Sequence, residues 1–90
     1  QSSIWRINSD AARNITGIAG GWSGRRLTLI NVGGFNITLT NQDAASVAGN
    51  RILTSIAAPN LVLAPDDTAN LVYDDTTARW RIAGVMIAGA

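Results

Sequence analysis

Ninety residues, 47% of them hydrophobic and with a formal net charge of +1, fit one small domain. A chain this short buries only roughly 60–65% of its unfolded surface, so association with further copies would add needed stability. All seven cations are Arg, all six anions are Asp, and Lys, Glu, His and Cys are absent. That inventory excludes disulfide staples, thiolate zinc sites and His- or Cys-based catalysis. The near-neutral balance and the dispersed arginines, apart from Arg25-Arg26 and Arg79/Arg81, give no reason to expect nucleic acid as a partner.

No stretch approaches the ~20 apolar residues that span a bilayer, and no basic segment precedes an apolar run as in a signal peptide, so membrane insertion is not expected. The chain opens at Gln1 with no initiator Met, as expected of a piece of a longer chain. Good helix formers are scarce while Asn, Thr, Ile, Val and Gly abound, which points to an all-β fold.

In chain order, residues 3–7 form the first strand candidate, and Asn8-Ser9-Asp10 the turn after it. Residues 14–18 are the second strand. Ala19-Gly20-Gly21-Trp22-Ser23-Gly24 is a glycine-dense loop, and residues 25–32 then form a strand apolar on both faces, as if covered on each side. Gly33-Gly34 reads as a hairpin turn into the alternating run 35–40. Asp43 and Gly49 suit the cap and left-handed stop of one helical turn, too short to stand alone.

Residues 50–56 are a further strand candidate, and Leu61-Val62-Leu63 another, stopped by Pro65. Pro65-Asp66-Asp67-Thr68 is a turn with Pro presetting its second position. The clearest signal is the hairpin over 71–82. Tyr73, Trp80 and Ile82 are its packing anchors, while Asp74-Asp75 supply acceptors for turn amides. The apolar tail 83–90 needs pairing or packing to avoid aggregation. Ile4-Trp5-Arg6-Ile7 echoes Arg79-Trp80-Arg81-Ile82, explained by two strands that interleave Trp and Ile with solvated Arg.

Few residues suggest chemistry. Two carboxylates suffice for glycosidase work, and Asp66-Asp67 with Asp74-Asp75 offer oxygen ligands for calcium, but each has a turn explanation. The glycines 17, 20, 21 and 24 do not match a dinucleotide fingerprint. No catalytic residue, metal site or cofactor is therefore expected. Trp22, followed by Arg25 and Arg26, is the candidate ligand contact, because an aromatic face beside guanidinium donors suits a sugar or peptide. The same Trp could instead fold over a barrel end or pack into a neighbouring subunit.

The ordered runs Ile15-Thr16-Gly17-Ile18, Arg26-Leu27-Thr28-Leu29-Ile30-Asn31-Val32-Gly33, Asn36-Ile37-Thr38-Leu39, Ala48-Gly49-Asn50-Arg51-Ile52, Leu61-Val62-Leu63-Ala64-Pro65, Leu71-Val72-Tyr73-Asp74 and Arg79-Trp80-Arg81-Ile82 cover about three quarters of the chain. In that order they resemble a β-structured module of tailed-bacteriophage fibre, spike and other virion-surface proteins. The resemblance implies a non-enzymatic structural module on the virion surface, in a tail fibre, spike or capsid appendage. It also implies a homotrimer whose chains complete one another's cores, with other virion proteins as partners. A receptor-binding module for host-surface saccharide and a capsid decoration protein are the alternatives. The expected organisation is a terminal strand or linker over 1–14 and a β-module over 15–90. The expected fold is a small sandwich or barrel-like module of short antiparallel strands.

Overall fold

The computed structural model describes residues 2–54 and 60–88. Eight strands are present: β1 (Ser2–Ile7), β2 (Arg13–Ile15), β3 (Arg26–Asn31), β4 (Ile37–Leu39), β5 (Ile52–Leu53), β6 (Leu61–Leu63), β7 (Thr68–Asp74) and β8 (Arg79–Met86). The fold is all-β, as the composition implies. The strands form a five-stranded sheet, ordered β1-β3-β7-β8-β5, and a three-stranded sheet, ordered β2-β4-β6. From β1 to β7 the chain changes sheet at every step, so odd-numbered strands build the larger sheet and even-numbered strands the smaller one. Only β7 and β8 are consecutive partners.

This alternation overturns two expectations. Residues 25–32 and 35–40 are not a hairpin: β3 pairs with β1 and β7, whereas β4 pairs with β2 and β6. The sheets are mixed rather than purely antiparallel: β1/β3, β2/β4 and β5/β8 run parallel, which the crossovers through the other sheet allow, while β3/β7, β4/β6 and β7/β8 run antiparallel. Gly33-Gly34 lies in a corner between sheets. Asn31 builds that corner, fully buried: its Nδ2 donates to the carbonyls of Phe35 and Leu63, both at 2.8 Å, and its Oδ1 accepts from the Gly33 N–H at 3.1 Å. A short amide side chain thus holds the outgoing chain against β6 and away from β3.

The core fills the space between the sheets. Leu27, Leu29, Ala69, Leu71, Tyr73, Trp80 and Ile52 come from the larger sheet, Leu39 and Leu63 from the smaller, and Ile18 from the connection after β2. The strict alternation of burial along β3 and β7 follows from the two-residue period of a strand with one face inward. Ile82 is half-buried and packs against this cluster.

Both sequence-legible turns form. The Ala64 carbonyl accepts from the Asp67 N–H at 2.9 Å, Pro65 occupies the second position, and Asp66 has φ +72° at the third, the geometry of a type II turn. In the last hairpin, Asp74 Oδ1 accepts from the Thr76 N–H and Oδ2 from the Thr77 hydroxyl. Asp74, not Asp75, therefore carries the turn. Around residue 43, Asp43 Oδ1 accepts from the Ala45 N–H and a 3-10 helix follows at Ala48–Asn50. Gly49 lies inside that helix with no positive φ, so it is not the left-handed stop that the sequence suggested. Part of the 50–56 strand candidate and the end of the 83–90 tail fall outside the described residues.

Candidate functional site

The loop over 19–24 is set by packing. Gly20 and Gly24 hold φ of +84° and +79°, the left-handed region that favours glycine. Gly24 takes the third position of a turn closed by Arg25 N–H donating to the Trp22 carbonyl at 2.9 Å. A Cβ on Gly21 would collide with the Tyr73 ring. The loop therefore lies directly on the aromatic end of the core.

There Tyr73 and Trp80 stack edge to face, 5.3 Å between centroids and 79° between planes, and each ties down a loop. Trp80 Nε1 donates to the Ile18 carbonyl, and the Tyr73 hydroxyl donates to the Gly49 carbonyl, both at 2.9 Å. Arg25 closes over them. Its guanidinium carbon lies 4.5 Å from the Trp22 ring centroid and 5.9 Å from that of Trp80, within cation–π range of both. One terminal nitrogen donates to the Gly20 carbonyl at 2.8 Å, while the buried Nε has no hydrogen-bond partner among the described residues.

The structure thus brings Trp22 and Arg25 together and leaves Trp22 48% exposed, but it separates Arg26 from them. Arg26 starts β3, and the alternation of that strand turns it to the outer face of the larger sheet. Arg25 fastens the loop to Trp80, with one terminal nitrogen already committed to Gly20. The four acidic candidates are also separated: Asp66-Asp67 precede β7 and Asp74-Asp75 end it, about 23 Å apart along seven extended residues. No group of three or more acidic side chains gathers among the described residues.

Two carboxylates sit below the usual range. The Ala45 N–H, the Thr40 hydroxyl and the field of Arg51 hold Asp43 down. The Thr77 hydroxyl, the Arg81 guanidinium and the Thr76 N–H do the same for Asp74. Each holds a local turn.

One functional element escaped sequence reasoning: the polar node at the opposite end of the core. Asp67 is 3% exposed; its Oδ2 accepts from the Ala64 N–H and its Oδ1 from the Ala88 N–H, both at 2.9 Å. The Asp67 carbonyl accepts from Asn31 N–H at 3.0 Å, and the Asn31 carbonyl accepts from Asp66 N–H at 2.7 Å. The node joins β3, the 64–67 turn and the segment after β8. Parity was the available signal for Asn31, which shares the inward positions of Leu27 and Leu29.

Comparison with protein-family models, with curated proteins and with solved structures gives no match. The class defined by fold and site is a small mixed-sheet β-module without a cavity among the described residues.

Proposed function

We propose that this chain is a non-enzymatic structural module of a bacteriophage virion, assembling as a homotrimer within a fibre, spike or capsid-surface appendage. The ordered β-motifs of the sequence supply the virion setting through their resemblance to such modules. The observation that carries the assembly is a row of inward-facing side chains that outruns its cover. Trp5, Leu29, Ala69 and Val85 are neighbours across β1, β3, β7 and β8. Leu29 and Ala69 are fully buried, whereas Trp5 is 39% and Val85 46% exposed, because three short strands cannot cover a five-stranded sheet to both edges.

The two ends of that row lie on different edges. Among the described residues β1 has no partner beyond β3, and β5 pairs β8 only at Trp80 and Arg81. An edge of each kind suits head-to-tail association, which closes into a ring when the rotation permits. Covering the exposed part of each of these side chains contributes roughly 1 kcal/mol, a fraction of the full-burial value.

Light scattering at low micromolar concentration is expected to give the mass of three copies, and paired Trp5→Ser and Val85→Ser changes to shift it toward one. A compact, stable monomer would overturn the assembly. Immunogold labelling of intact particles is expected to mark a surface appendage, and a chain that never co-sediments with particles would overturn the virion setting.

A further inference from the structure

The arginines that look scattered in the sequence are gathered by the fold. On the outer face of the larger sheet, alternation and register place Arg6 of β1, Arg26 of β3, and Arg79 and Arg81 of β8. Four of the seven arginines share this face with one of the six aspartates, Asp74. The other acids stand in the loops before β2, after β4 and β6, and in the hairpin turn. A chain of net charge +1 therefore presents one strongly basic side.

Its cations differ in freedom. Arg79 Nε donates to Gln42 Oε1, its terminal nitrogen bonds turn carbonyls, and Arg81 Nε donates to Asp74 Oδ2 at 2.8 Å. Arg6 and Arg26 are exposed and are in neither ion pair of the described residues. Arg26, Val72 and Arg81 form one row across the sheet, which sets the two arginines two strand spacings apart, about 10 Å. Arg6 lies opposite Ile30, four residues along β3 from Arg26, so these two are about 14 Å apart; between their levels the Thr28 hydroxyl donates to Asn70 Oδ1 at 2.8 Å, beside the exposed Ile4.

We infer that this face binds a linear acidic polysaccharide, its carboxylates taken by Arg6 and Arg26 and its hydroxyls by the Thr28–Asn70 pair. Guanidinium forks match carboxylates in geometry as well as charge. The arrangement fits nucleic acid less well. Single strands are held by aromatic platforms, and the exposed rings are elsewhere: Trp5 shares the inward face with Leu29, Trp22 is in its loop, and Phe35 is at the sheet corner. A second copy is disfavoured on this face too, since Asp10 is engaged by Arg13 and Asp74 by Arg81, Asp43 is held by the Thr40 hydroxyl and the Ala45 N–H, Asp67 is buried, and the exposed Asp66 and Asp75 lie at opposite ends of β7. This inference is independent of the virion setting; it uses the outward face of β1, through Arg6, whereas the assembly uses that strand's inward Trp5 and its open edge.

The test measures binding of the chain to polygalacturonate, to neutral dextran and to oligo-dT by biolayer interferometry over a salt series, with light scattering on each sample. Polygalacturonate is expected to bind and to be released by salt, and dextran not to bind. The paired change Arg6→Ala and Arg26→Ala is expected to weaken binding about tenfold or more, the scale of lost charge-assisted hydrogen bonds. Arg13→Ala, which removes one positive charge away from this face, is expected to leave it unchanged. Equal losses from Arg13→Ala and the paired change, no loss from the pair, or oligo-dT binding as tight as polygalacturonate would each overturn the inference. The mass readout separates these outcomes from a failure to assemble.

Discussion

Trp80 shows how one side chain can organise a small core. It is fully buried, edge to face with Tyr73, beneath Arg25 and bonded to the Ile18 carbonyl. Trp80→Ala is expected to lower stability by about 3–5 kcal/mol, the range for truncating a large buried aromatic, read from chemical denaturation. Trp80→Phe keeps the ring contact but strands a carbonyl, for a smaller loss of about 1–3 kcal/mol. Asn31→Leu deprives the buried Leu63 carbonyl of its donor and frees the sheet corner, so a loss of similar size is expected by the same denaturation. The anchors Tyr73 and Trp80 were legible because large aromatics recur at inward parity. Asn31 was hidden because a lone Asn in a strand reads as a solvated residue until its position opposite β6 is known.

At the scale of the element, the turns carry both strain and pH dependence. Ala78 and Asp66 hold φ of +55° and +72°, where a side chain costs about 1–2 kcal/mol per residue. Ala78→Gly at the end of the hairpin loop is expected to raise the melting temperature, and an unchanged or lower value would contradict this account. Asp74 is bonded by Thr77, Thr76 and Arg81 in the folded chain, so its folded pKa lies below its unfolded one. Its contribution is complete above the unfolded carboxylate value, about pH 4, and is lost as pH falls through the lower folded value. Asp74→Asn is therefore expected to flatten the acid limb of stability against pH in a series of thermal melts. The 64–67 and 74–79 turns were readable from Pro and Asp chemistry. Gly33-Gly34 was not, since two glycines permit a sharp change of direction without specifying whether the next strand returns to the same sheet.

For the whole molecule, the radius of gyration of 12.2 Å matches the ~12 Å of a compact chain of this length, yet its sheets differ in width. Because every strand before β8 pairs with a non-consecutive one, folding must close long loops before most contacts form. Stopped-flow refolding is expected on the millisecond-to-second scale of high-contact-order β proteins. Microsecond refolding would contradict it. The same topology determines the surface, turning Arg6, Arg26, Arg79 and Arg81 to one side and leaving Trp5 and Val85 beyond the smaller sheet.

The sequence by itself determined the all-β class, the last hairpin, the Pro65 turn and the inward aromatics, because these depend on local propensity, two-residue alternation and turn chemistry. The tertiary structure alone decided the strand order, the parallel pairings, the buried Asn31–Asp67 node and the arginine face. Those depend on which distant strands meet and in what register, and pairing between strands tens of residues apart leaves no local trace in the chain.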